Sequence, residues 1–204
     1  EFMIDGTKTG RTFPADFGGA WGADLAFNGR TNTYWQVNVS GDNCIHEISA
    51  QAGVTGQKIC PEFAQAQRGL AYDPKSDTFY SGSWTDSIIH QFKTDGELIR
   101  SIDVNINIAG LALNSATGQL YVTHNADAEK GVFDIYVLDT HSEFLDIVGG
   151  FNVDNQDGTA LEGQAGLEID CDGNLWAVDQ TQQKVLGVAT QVGGVCDWKV
   201  VPGL

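Results

Sequence analysis

The sequence predicts an all-β fold, a β-propeller of four-stranded antiparallel blades with four blades visible in the chain. Three observations predict it. One outline returns four times, as "DLAFNGRTNTYWQVNV" from Asp24, "GLAYDPKSDTFYSGSW" from Gly69, "GLALNSATGQLYVTHN" from Gly110 and "GLEIDCDGNLWAVDQ" from Gly166. Each copy is a small apolar run, a polar turn and a second run with an aromatic or a leucine near its start. The anchors are spaced 45, 41 and 56 residues apart, which is the period of a propeller blade. The chain is also rich in turn-forming residues, with 25 glycines in 204 residues, and no segment carries a convincing helical period. A β-sandwich would not repeat one outline four times.

Residues 1–20 form an N-terminal segment that reads as the end of a preceding blade, and its opening "EFM" has the look of a cloning scar. The blades then run over about 21–65, 66–106, 107–163 and 164–204. The second shows the pattern most clearly. Strand one is expected over 69–72, followed by the turn "DPKSD", with Pro74 where a turn accepts it. Strands two, three and four are expected over 78–84, 87–92 and 98–104, the last two joined by the Asp-Gly hairpin signal in "KTDGE". A glycine in strand one is expected where neighbouring blades crowd around the channel and leave no room for a side chain. Tyr34, Phe79, Leu120 and Leu175 in strand two then fill the space between blades. The long third spacing holds an insertion, "GGFNVDNQDGTALEGQ". Four blades are few, so the chain is expected to be a closed small ring, a piece of a larger one, or half of a ring that a homodimer completes.

Charge narrows the function. Lys and Arg number 11 against 27 Asp and Glu, a net charge of −16, which repels nucleic acid and anionic membranes. No stretch approaches the 18 apolar residues of a membrane-spanning helix. The four cysteines, Cys44, Cys60, Cys171 and Cys196, form no CxxC pair, so an even count points to disulfides and a secreted, oxidised protein. Cys44 and Cys60 flank a strand three–strand four hairpin and come opposite each other; Cys171 and Cys196 fall in turns on one blade edge. Asn38-Val39-Ser40 matches a glycosylation sequon, a pattern common by chance.

The repeats resemble the blades of NHL, SMP-30/gluconolactonase and YncE-like proteins, and "GAWGADLAFNGRTNTYWQVNV", "QRGLAYDPKSDTFYSGSW" and "QAGLEIDCDGNLWAVDQ" also resemble propeller repeats of large secreted bacterial, subtilase-associated proteins. The resemblance spans residues 20–202 and implies the fold. It implies no particular activity, because propellers host binding, hydrolysis and scaffolding alike. The metal ligands of the lactonase-like members have no counterpart that can be matched by residue here. No G-x-S-x-G or subtilisin-like serine motif is present.

Candidate site residues lie at the channel mouth, where strand one begins and strand two ends. They are Arg68, Trp84, Asp86, His124, Asn125 and Asp179 as ligand contacts, with Arg68, His124, Asp179 and Glu162 expected to converge. Trp21, Trp35 and Trp84 could stack a sugar or a peptide side chain, or pack between blades. Asp154, Asp157 and Glu162 in the insertion supply oxygen donors for Ca²⁺, but Val153 stands where the first Asp of the calcium loop would be. His46 and His90 share one repeat position and His141 lies in a turn, so all three read as structural. The function expected is a secreted binding or scaffolding module for a protein or glycan partner; the alternative is a metal-dependent hydrolase of the lactonase or esterase kind.

Overall fold

The computed structural model describes residues 1–3, 5–12, 17, 21–51, 53–64, 66–124, 133–153, 161 and 163–192. Its first blade contains β1 (Trp21–Asn28), β2 (Thr33–Val39), β3 (Ile45–Ser49) and β4 (Gly53–Ile59). The second contains β5 (Gln67–Asp73), β6 (Thr78–Ser83), β7 (Ile88–Lys93) and β8 (Leu98–Asp103), and the third β9 (Ile108–Asn114), β10 (Gln119–His124), β11 (Ile135–Asp139) and β12 (Ile147–Phe151). Blade four has three strands among the described residues, β13 (Gln164–Ile169), β14 (Leu175–Asp179) and β15 (Lys184–Val188). Each sheet is antiparallel and runs in sequence order from the inside out. No helix occurs among the described residues. The strands expected in blade two lie within two residues of those observed.

The inner strands β1, β5, β9 and β13 gather about one axis. Each contacts its two neighbours, and β1 also touches β13, so the four blades close a ring within one chain. Burial falls outwards: every residue of β9 is buried, whereas β8 alternates between exposed and half-buried. The described residues of 1–12 make no blade strand. Phe2 and Lys8 bridge a small loop, and Arg11 Nη2 donates to Ala50 O at 2.7 Å on the turn between β3 and β4.

Local chemistry explains the recurring outline. Four residues after each anchor stands an Asx side chain, Asn28, Asp73, Asn114 or Asp170, whose Oδ1 accepts the amide N–H two residues on. This is the turn that sends strand one into strand two. The glycine requirement is steric. A Cβ on Gly110 would meet Ala165 O and Leu167 N at 2.6 Å, and one on Gly166 would meet Asp24 Oδ1 at 2.8 Å. Inner strands pass too closely for any side chain there.

The blades pack through three apolar clusters. Between blades one and two, Ala26, Trp35, Val37, Ile45 and Ile59 face Leu70, Tyr72, Phe79 and Phe92. Between two and three, Ala71, Tyr80 and Ile89 face Leu111, Leu113, Leu120 and Val122. Between three and four, Ala112, Tyr121 and Ile135 face Leu167, Leu175 and Ala177. Phe79, Leu120 and Leu175 fill these seams as the repeat predicts. Tyr34 does not fill a core. It is half-buried and borders a cavity lined by all four blades, while its neighbour Trp35 packs against blade two.

Cys44 and Cys60 form a disulfide across the β3–β4 hairpin, with Cα atoms 4.2 Å apart, as their placement predicts. Cys171 is also disulfide-bonded; Cys196 lies outside the described residues. Asn38 is buried at 2% exposure within β2, so the sequon does not present a glycan acceptor.

Candidate functional site

The inner strands carry one departure from the repeat at each of three successive levels. At the mouth, the position before each anchor holds Ala23, Arg68, Ala109 and Ala165. One level in, the anchors are Asp24, Gly69, Gly110 and Gly166. Two residues further, past a uniform set of leucines, stand Ala26, Ala71, Ala112 and Glu168. The inner strands are thus small and apolar at all three levels except for one arginine, one aspartate and one glutamate, each from a different blade.

Backbone irregularity aims these groups. In every blade the register of strand one against strand two shifts at its mouth end, between Gly22 and Leu25, Gln67 and Gly69, Ile108 and Gly110, and Gln164 and Leu167. The residues skipped by the ladder include Asp24 and Arg68. A bulge turns a side chain away from the regular alternation, here toward the axis and its opening.

Asp24 is the hub. Its Oδ2 accepts the amides of Leu70 at 2.9 Å and Leu111 at 2.8 Å, and its Oδ1 accepts that of Leu167 at 3.1 Å. One carboxyl group therefore bonds to all three other blades. Burial pushes its pKa up to about 8, against the pull of the amides of Leu111, Leu70, Leu25 and Leu167. Three amides that would otherwise be unpaired in the interior are satisfied by this single side chain.

Above the hub lies a cavity of about 340 Å³ lined by Trp21, Ala23, Arg68, Ala109, Ala165 and Gln180, among others. The Arg68 guanidinium sits 4.4 Å over the Trp84 ring. It has no ion pair or hydrogen bond among the described residues, and burial lowers its pKa. Stacking on an indole keeps a guanidinium in place while leaving its five N–H donors free. Trp84 is 41% exposed and Trp21 75% exposed, so both offer ring faces to a ligand.

The other expected contacts do not converge with Arg68. Asp86 is exposed and its Oδ1 accepts Ile88 N, closing the β6–β7 turn. Asp179 is fully buried and its Oδ1 accepts Gln182 N, closing the β14–β15 turn. The His124 ring packs edge-on against Tyr136 at 5.9 Å, and its amide bonds to Asp134 O. None of the three lines the mouth cavity. Asn125, Asp154, Asp157 and Glu162 lie outside the described residues, and among those described no group of three His, Cys, Asp or Glu could hold a metal ion. Trp35 packs between blades, one of the two roles open to it. His46 bonds to Asp42 and His90 to Ser101, while His141 pairs with Asp139 on the surface.

Below the hub a second cavity, of about 410 Å³, is lined by all four blades, among them Phe27 and Tyr34 of blade one, Tyr72 of blade two, Leu113 of blade three and Glu168 of blade four. Glu168 was not among the expected site residues. The alignment that sets Asp24 beside three glycines also sets Glu168 beside three alanines, and that contrast is its signal. Its Oε1 accepts Ile169 N at 2.9 Å, and among the described residues Oε2 has no donor. The residue keeps some solvent access through the cavity, yet protein surrounds it closely enough that burial, with the nearby Asp24 charge, raises its pKa to about 8.

The fold and axis define a four-bladed β-propeller. No protein-family model and no curated protein matches the chain. Solved structures share the fold at low identity. A chain of a mitotic checkpoint complex is similar over 86% of this chain and 51% of its own, with 15% identity and a TM-score of 0.55. A chain of a nidogen/laminin complex is similar over 80% and 57%, with 16% identity and a TM-score of 0.54. Myxococcus xanthus glutaminyl cyclase is similar over 84% and 73%, with 13% identity and a TM-score of 0.61. The chain spans about half the length of the first two.

Proposed function

We propose that this propeller is a binding module of an oxidising, extracellular compartment, which takes a protein or glycan partner at the upper mouth of its axis without catalysing a reaction. The observation that carries this reading is Arg68. In a protein of net charge −16, a half-buried guanidinium with no acidic partner among the described residues borders the mouth cavity and is stacked on Trp84. The other three blades carry alanine at its position. Unpaired arginine and accessible tryptophan are the side chains that most often anchor a partner. The Cys44–Cys60 disulfide and the bonded Cys171 support the compartment. Two of the structures sharing the fold are chains of protein complexes, which is in keeping with a protein partner.

Glycan and peptide arrays probed with the wild type, Arg68→Ala and Trp84→Ala test the reading. The expected result is a set of ligands bound by the wild type and lost by both variants, each variant keeping its unfolding free energy within about 0.5 kcal/mol. Ligands that both variants retain would contradict it.

A further inference from the structure

The lower cavity has the chemistry of a cation site, independent of the upper mouth. It is lined by residues of all four blades at the lower end of the axis, where the Phe27 and Tyr34 rings lie tilted with centroids 5.1 Å apart and Tyr72 adds a third ring. Its walls are mainly apolar. Two acidic residues line it, Asp170, whose carboxylate is taken up by its own turn, and Glu168, at a position where blades one to three carry Ala26, Ala71 and Ala112. A carboxylate with a free oxygen, set among aromatic faces, is the arrangement that holds an ammonium group: the rings attract the cation and the carboxylate neutralises it. The protein's net charge of −16 draws small cations toward it.

We propose that this cavity binds a small organic cation, a quaternary or primary ammonium, with Glu168 as counter-ion and Phe27, Tyr34 and Tyr72 as its aromatic wall. The neighbouring charges are already engaged. Asp24 is bonded to three backbone amides. Asp170 accepts from Asn174 and from Trp176 Nε1. Arg30 donates to Pro74 O at the cavity's edge and lies 3.9 Å from Asp77, and Lys75 donates to Ala116 O. Asp73, at the end of β5, bonds to Lys75 N and Ser76. The hydroxyl of Tyr72 bonds to Asp77. Glu168 is left as the group that answers a bound cation. Because a bound cation requires its ionised form, binding releases a proton below pH 8, and affinity for a cation of fixed charge rises about tenfold from pH 7 to pH 9.

Choline and its uncharged isostere 3,3-dimethylbutan-1-ol are the probes, titrated by calorimetry into the wild type and into Glu168→Gln at pH 7 and pH 9. Choline is expected to bind the wild type about tenfold more tightly at pH 9 than at pH 7, and Glu168→Gln to lose at least about tenfold at pH 9. The isostere is expected to show neither effect. Glu168→Ala, which restores the residue of the other three blades, supplies a second variant whose fold is secured by the repeat and should lose choline equally. Shifts of the Tyr34 ring resonances should accompany choline binding. No choline binding, equal binding by Glu168→Gln, equal behaviour of the two probes, or shifts confined to Trp84 and Trp21 would each overturn the proposal.

Discussion

Between blades two and three, Ala71 and Tyr80 on one face meet Leu111, Leu113 and Leu120 on the other. Between blades four and one, the corresponding positions hold Glu168 and Trp176 on one side and Leu25, Phe27 and Tyr34 on the other. The first set makes a fully buried core, reinforced at the rim by Arg100, which donates to Thr140 O, Ser142 O and Glu143 O. The residues of the second are half-buried and none of them belongs to an apolar cluster among the described residues; Leu25, Phe27, Tyr34 and Glu168 border the lower cavity, which Leu113 of the first set also touches. Equivalent backbone therefore does not make equivalent seams. Three are held by apolar burial, roughly 25 cal/mol for each Å² removed from water. At the fourth, the bond from Leu167 N to Asp24 spans the gap at the axis. Among the described residues, then, the contact between blades four and one includes a polar bond at the hub where the other seams show apolar clusters.

Breaking the hub has the largest expected effect. Asp24→Ala leaves the amides of Leu70, Leu111 and Leu167 buried and unpaired, at about 1–3 kcal/mol each, and the variant should lose on the order of 5 kcal/mol in urea unfolding. Cutting an apolar seam comes next. Phe79→Ala removes a fully buried ring between blades one and two and should cost about 4 kcal/mol by the same measurement. Opening the disulfide is smaller. Cys60→Ser with Cys44→Ser releases a loop with a sequence separation of 16 and should cost about 3 kcal/mol.

The smallest effect sharpens the contrast between seams. Glu168→Ala makes the fourth seam resemble the others and should gain about 1 kcal/mol near pH 8. Glu168 ionises at about 8 in the fold and near the ordinary 4.5 when unfolded. Its neutral form favours the fold below pH 4.5, and that contribution fades as pH rises from 4.5 to 8. Unfolding free energy of the wild type should therefore fall across this window, and fall less in Glu168→Gln.

Much of this architecture is legible in the sequence. The fourfold outline, the Asx residue ending each inner strand and the Cys44–Cys60 pairing follow from local rules of turns and cross-strand neighbours. The position of Arg68 at the mouth end of its strand is legible because the repeat fixes which strand end it occupies, and Trp84 lies beneath its guanidinium. Direction was not legible. His124 and Asp179 stand at the same end of strand two, yet one packs on Tyr136 and the other is drawn into its own turn by Gln182 N. The bulges at the start of each inner strand break the twofold alternation that sequence reasoning relies on, so Asp24 reads as an imperfect repeat anchor and not as the group that bonds to three blades. Glu168 was hidden for another reason. Mid-strand positions in a repeat read as packing positions, and the contrast with Ala26, Ala71 and Ala112 becomes meaningful only with those alanines placed in the seams.

Amide hydrogen exchange by NMR, residue by residue in the wild type and in Asp24→Ala, tests the hub most directly. The amides of Leu70, Leu111 and Leu167 should exchange in the wild type among the slowest, and in Asp24→Ala they should accelerate together by more than the ladder amides of Val122 and Tyr80 do. Unchanged protection at those three amides, or a loss no greater than at Val122 and Tyr80, would contradict a ring closed through Asp24.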